Sequence, residues 1–198
     1  MDRKVTASRK TSETSIELAL DLSTPGVVSV SSGVPFLDHL LTSFAFHGGF
    51  SLSLRARGDT AVDAHHLVED LGLVLGGALK QSVTTHGRVA RFGSALIPMD
   101  EALAEVALDV CGRATAVLDL PFPQPRVGDF DLCLLREFLT ALAARAEASL
   151  HATLRAGQNS HHMAEALFKA LGRAVSQAYA HVGGDVADMS TKGTVSFS

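Results

Sequence analysis

Two stretches decide how this chain folds: Asp63-Ala-His-His-Leu-Val-Glu69 and Asn159-Ser-His-His-Met-Ala-Glu165. Each opens an apolar segment at helical spacing, about 64–85 in the first case and 160–179 in the second. A polar device that recurs on the same kind of element points to one unit used twice. Neighbouring matches agree. Glu17-Leu-Ala-Leu-Asp-Leu22 recurs as Glu105-Val-Ala-Leu-Asp-Val110 at an offset of 88, and Leu54-Arg-Ala56 as Leu154-Arg-Ala156 at 100. The His-His-x-x-Glu pair is offset by 96, the drift that loop insertions and deletions produce.

Working outward, Ile16 to Leu22 alternate as a half-buried strand, and Pro25-Gly26 is a turn. Val27 to Val30 reads as the hairpin partner of that strand. Residues 35–46 are apolar at helical spacing, with Pro35 suited to a first turn. Phe50, Leu52 and Leu54 alternate again, up to the loop at Gly58-Asp59. The second half repeats the order, with strands at 103–110 and 114–120, a helix at 132–146, a strand at 150–155 and a helix from 160. The expected class is α+β: a duplicated strand-strand-helix-strand-helix unit forming two sheets, each packed on helices. Residues 1–95 and 96–182 are the expected units, and 183–198 is an irregular tail carrying Ser190-Thr-Lys-Gly193.

Composition narrows the class of function. The 198 residues are 46% hydrophobic and 19% charged, enough for a packed core without staples. A net charge of -4 gives no reason to expect nucleic acid or an anionic membrane as partner. Cys111 and Cys133 make no disulfide framework, so a reducing cytoplasm is the simplest location. The polar start predicts no secretory signal, and no apolar run reaches membrane-span length. The unusual feature is 9 histidines beside one Tyr and no Trp.

Residues three or four apart share a helix face, so Glu69 can meet His65 or His66. Adjacent histidines point about 100° apart and cannot easily hold one ion together. One pairs with the glutamate while the other reaches elsewhere; His161, His162 and Glu165 repeat the device. Imidazole with carboxylate suits Mn, Fe, Co or Zn. Neither triplet is H-E-x-x-H or H-x-x-E-H, and the strands leave no room for a four-helix di-iron bundle. Further ligands are expected from the other helix of each unit: His39 in the first, and Glu137, about 98 positions on, in the second. His151 competes with Glu137 from a strand. Eight ligands suffice for two ions, leaving octahedral Mn two open positions each.

Assembled, these residues resemble the imidazoleglycerol-phosphate dehydratase family across essentially the whole chain. The resemblance rests on Arg9-x-Thr-x-Glu-Thr14, Gly33-Val-Pro-Phe-Leu-Asp-His39, Asp63-x-His-His-x-x-Glu-Asp70, Arg91-Phe-Gly93, Pro98-Met-Asp-Glu-Ala102 and Gly112-Arg113. It continues through Asn159-x-His-His-x-x-Glu-Ala166, Phe168-Lys-Ala170 and Ser190-Thr-Lys-Gly193. It implies a lyase of histidine biosynthesis that dehydrates D-erythro-imidazole glycerol phosphate to imidazole acetol phosphate. Two Mn2+ ions per active site would stabilise an imidazolate-like intermediate, with loss of hydroxyl giving a diazafulvene. It implies His39, His65, His66, Glu69, His161, His162 and Glu165 as metal ligands; many members carry His at the Glu137 position. Glu13 looks like the acid–base residue, with the ligands Glu69 and Glu165 also in the catalytic set. The repeat puts Glu101, or its neighbour Asp100, at the pseudo-symmetric end. Arg91, Arg113, Lys169, Ser190, Thr191 and Lys192 would bind phosphate, a task that suits guanidinium and ammonium groups. His47 either touches substrate or is an ordinary helix-end histidine; His86 and His181 match no motif and read as surface. The resemblance further implies a homo-oligomer, a 24-mer built from trimers with metal sites shared between subunits. A metal-storage protein and a binuclear metallohydrolase are the alternatives. Storage has no use for Glu13 or the cations, and a hydrolase would release phosphate.

Overall fold

The structure, a computed structural model, describes residues 4–182. Its elements are β1 (Lys4–Lys10), β2 (Thr14–Asp21), β3 (Val28–Ser31), α1 (Pro35–Gly48), β4 (Ser51–Gly58) and α2 (His65–His86), then β5 (Phe92–Met99), β6 (Ala102–Asp109) and β7 (Thr115–Asp119). A short hairpin of β8 (Arg126–Val127) and β9 (Phe130–Asp131) precedes α3 (Leu134–Ala146), β10 (Ser149–Ala156) and α4 (Ser160–Ala178).

Two four-stranded sheets form, ordered β1-β2-β4-β3 and β5-β6-β10-β7. In each, the first two pairings are antiparallel and the last parallel. The α+β architecture of two sheets packed on helices is therefore the one observed. Alternation explains the sidedness. Ile16, Leu18 and Leu20 of β2 and Leu52, Leu54 and Ala56 of β4 are buried on one face; Ala102, Ala104, Val106 and Leu108 do the same in β6.

Three local expectations are corrected. Val27 to Val30 is no hairpin partner of β2: β3 pairs in parallel with β4, because β2 already has β1 on one edge and β4 on the other. Each unit also has one more leading strand than periodicity suggested. β1 offers only Val5 and Ala7 to the core side, and β5 contains Gly93 and Pro98, which read as breakers. Pro98 is tolerated because β5 is an edge strand. β5 also straddles position 95. Finally, Asp21 pairs with Ser51 and Asp109 with Ser149, so with β2 on β6 at an offset of 88, β4 falls on β10 at 98; the Leu-Arg-Ala match at 100 is two residues out of register.

The halves meet through their helices. α1 packs on α4 and α2 on α3, each pair running in the same direction. A Cβ on Gly172 would collide with the Phe44 carbonyl, and one on Gly76 with the Leu142 carbonyl. Only glycine permits that approach. α1 ends at Gly49, whose left-handed φ of 73° lets its N–H reach the Ala45 and Phe46 carbonyls. At the other ends, Asn159 Oδ1 accepts the His161 N–H at 2.9 Å and Asp63 Oδ1 the His65 N–H at 2.7 Å. Those caps fix the first turns, where the paired histidines lie.

Candidate metal centre

Close packing of α1 on α4 brings His39 and the second His-His-x-x-Glu helix together. His39 Nε2 stands 3.0 Å and His161 Nε2 3.4 Å from Glu165 Oε2. Lys169 Nζ donates to the other oxygen, Oε1, at 2.7 Å, leaving Oε2 to the histidines. Burial pushes the Glu165 carboxyl up, but the Lys169 and His39 hydrogen bonds outweigh it and hold it at about 2. The Phe36 ring lies 5.1 Å from His161 and 6.2 Å from His39, walling one side.

A second group forms at the start of α2. His66 Nδ1 lies 3.0 Å from Asp59 Oδ2 and 3.7 Å from Glu13 Oε2. The Asp59 hydrogen bond, then the Glu13 charge, raises the His66 pKa. In both groups the three ligand atoms lie within 4.8 Å of one another. Sequence reading misses Asp59: Gly58-Asp59 reads as a loop, and no spacing rule ties it to His66.

Adjacent histidines diverge, their rings inclined by 83° at His65/His66 and 84° at His161/His162. His65 and His161 line one cleft of about 1010 Å³ together with His39, Arg126 and Cys133. His66 and His162 turn to acidic neighbours instead. His162 Nδ1 lies 2.9 Å from Glu101 Oε2 and its Nε2 3.7 Å from Asp100. The His162 bond and the Asn159 and Gln158 amides hold the Glu101 carboxyl at about 2. His65 and Glu69 are looser, 3.9 Å apart.

Other expected residues stand apart within this chain. Glu137, in the first turn of α3, and His151, exposed on β10, join neither ligand group. Arg91 forks onto Asp109 at 2.7 and 3.2 Å, and Arg113 is exposed beyond β6. His47, in the last turn of α1, has its pKa lowered by burial and by Lys169. His86, read as a surface residue, has Nε2 buried; it and His181 line a separate cavity at the far ends of α2 and α4. Ser190, Thr191 and Lys192 lie outside the described residues.

The donor chemistry fits divalent first-row ions: imidazole nitrogens with carboxylate oxygens, and no converging thiolates. Asp59 Oδ1 is buried with no hydrogen-bond partner among the described residues, an acceptor that a cation would satisfy.

Comparison with known proteins gives one answer. The family model described as imidazoleglycerol-phosphate dehydratase matches residues 32–175. An enzyme of that description from Methanosarcina barkeri is 50% identical over 188 residues, 95% of this chain and 97% of its own. Another from Acidiphilium cryptum is 48% identical over 178 residues, covering 90% and 91%. Among solved structures, the Staphylococcus aureus imidazoleglycerol-phosphate dehydratase superposes with a TM-score of 0.80 at 34% identity, covering 90% of this chain and all 100% of that one. The Pyrococcus furiosus structure, in complex with (S)-C348, gives 0.81 at 34%, covering 95% and 99%.

Proposed function

This chain belongs to the imidazoleglycerol-phosphate dehydratase family, hydro-lyases of histidine biosynthesis, and from that premise we propose how its own residues carry out the dehydration of D-erythro-imidazole glycerol phosphate to imidazole acetol phosphate. Two Mn2+ ions per site are the proposed cofactors. His39, His161 and Glu165 would hold one, with His65, His66, Glu69, His162 and either Glu137 or His151 completing the ligand set. When bound, such ions would draw charge through the imidazole ring nitrogens and so ease loss of the hydroxyl beside the ring and of a side-chain proton that no carbonyl activates.

Glu13 is the proton-transfer group. Half of its side chain is exposed and its carboxylate stands 3.7 Å from His66. Its counterpart Glu101 already accepts from two backbone amides and faces His162, so it is held as an anion. In this reading Glu13 gives a proton to the hydroxyl that leaves the carbon attached to the ring and takes one from the next carbon, so that water is lost and the enol left behind becomes the ketone. Arg91, Arg113, Lys169, Ser190, Thr191 and Lys192 are the proposed phosphate set, and His47 lies beside Lys169.

A site shared between subunits of a homo-oligomer, a 24-mer of trimers, is part of the same reading, and strand length supports it. Arg91 is tied to Asp109 at one end of β6 and Glu101 precedes the other end. Eight strand residues span about 26 Å. A substrate whose ring and phosphate are on the order of 10 Å apart cannot bridge Arg91 and an ion at His162, which Glu101 adjoins, within one chain. Two duplicated units, 1–95 and 96–182, and a cytoplasmic location belong to this reading too. No described helix is long and apolar enough to cross a membrane.

The single observation that carries the proposal is the convergence of His39, His161 and Glu165 from α1 and α4. Its test is turnover by the Mn-loaded protein, read as formation of an enolisable ketone with no phosphate release. Glu13→Gln should retain the ions and lose at least about 100-fold in kcat. Full activity in that variant would remove Glu13 from the chemistry.

A further inference from the structure

The turn that presents Glu13 is fastened to helix α2 by one buried carboxylate. Asp70, 8% exposed, directly follows Glu69. Its Oδ1 accepts from Arg9 Nε at 2.7 Å, and its Oδ2 from Thr14 Oγ1 at 2.5 Å. Arg9 is the penultimate residue of β1 and Thr14 the first of β2, so a single side chain grips both flanks of the turn. Inside it, the Thr11 hydroxyl accepts from the Glu13 and Thr14 amides at 3.1 and 2.9 Å, and the Thr11 N–H donates to the Thr14 carbonyl. Asp70 and His66 are four apart and share a helix face. The strut that holds the turn and the imidazole that Glu13 faces therefore ride on one rigid element.

The second half shows what this arrangement is for. At the strand offset of 88, Arg9, Thr11 and Thr14 correspond to Ile97, Met99 and Ala102; at the helix offset of 96, Asp70 corresponds to Ala166. Apolar side chains fill the same place, and Glu101 is held directly by amides and His162 instead. Stability alone does not call for a buried carboxylate where apolar packing serves. The polar clamp occurs on the side where the acidic group is left free.

We propose that Asp70, acting through Thr14 and Arg9, is a positioning residue that holds Glu13 at proton-transfer distance in front of His66. This rests on the role assigned to Glu13 above. Misplacing a transfer group by about 1 Å can cost about 100-fold in rate without weakening substrate binding.

The test compares Thr14→Val, Asp70→Asn and Arg9→Gln in the Mn-loaded enzyme, with metal content and Tm measured alongside. Arg9 is about half exposed, and its variant folds if the buried ones do not. The expected result is a kcat lowered about 10- to 100-fold, KM within about twofold and full metal content, with Thr14→Ser recovering most of the rate. Each change combined with Glu13→Gln should be no slower than Glu13→Gln alone, because the clamp acts only through that carboxylate. Wild-type kcat in the folded single variants, or additive losses in the combined ones, would overturn the clamp. Full activity of Glu13→Gln alone would overturn the Glu13 assignment, a separate outcome.

Discussion

Glu165 and His39, 126 positions apart in the chain, stand 3.0 Å from each other at the seam between α1 and α4. The carboxylate is nearly buried and shared: Oε2 faces two imidazoles and Oε1 is bonded to Lys169. That division leaves one oxygen for an ion and ties the other to the protein.

Removing Lys169 should therefore be felt before any catalysis. In metal-free Lys169→Met the largest of the lowering influences is gone and only the His39 contact is left to oppose burial, so the Glu165 pKa rises. Leaving Oε1 without its partner costs about 1–3 kcal/mol, read as a lower denaturant midpoint, and added Mn2+ should restore much of it. An unchanged midpoint would show that the bond contributes nothing to the fold.

His66 predicts opposite pH responses with and without ions. Its raised pKa means that the Asp59 and Glu13 contacts favour the protonated ring. Stability from that source is full below the unfolded value of 6.5 and is lost as pH rises through the higher folded one. Ion binding needs the neutral ring, so it strengthens over the same range. Between about pH 6 and 8 the metal-free Tm should fall slightly while the metal-loaded Tm rises. Parallel slopes would contradict a histidine-bound ion.

Glu101 governs the acid side. Held at about 2 instead of 4.5, its carboxyl supplies stability that is present above 4.5 and drains as pH falls toward 2. Metal-free Glu101→Gln should lose less between those limits than the parent does. Identical acid titration curves would mean that the His162 and amide contacts do not survive in solution.

Gly172→Ala tests the seam itself. A methyl there meets the Phe44 carbonyl, so α1 must shift away from α4. The expected cost is about 1–3 kcal/mol, with weaker ion binding at His39, His161 and Glu165, measured by unfolding and metal titration. Gly77→Ala is the control, because a Cβ there meets nothing within 4 Å.

Much of this was legible beforehand because the informative residues are periodic or repeated. His65, His66, His161 and His162 declare themselves through spacing, and alternating apolar residues give β2, β4 and β6. What stayed hidden depends on tertiary partners. β3 could not reveal a parallel neighbour, since pairing direction leaves no local trace in four residues. β1 was masked by its polar outward face, and β5 by Gly93 and Pro98 and by the exposed Phe92 and Leu96, which blur the alternation. Asp59 and Asp70 became meaningful only when folding set them against His66 and Thr14, contacts that no linear pattern encodes.

The glycine contacts at Gly76 and Gly172 carry a consequence for how the molecule can be taken apart. At those points backbone lies against backbone, and each helix pair takes one member from either half. A cut in the short link at 87–91 should yield two pieces that remain married in solution, neither surviving as a free-standing module.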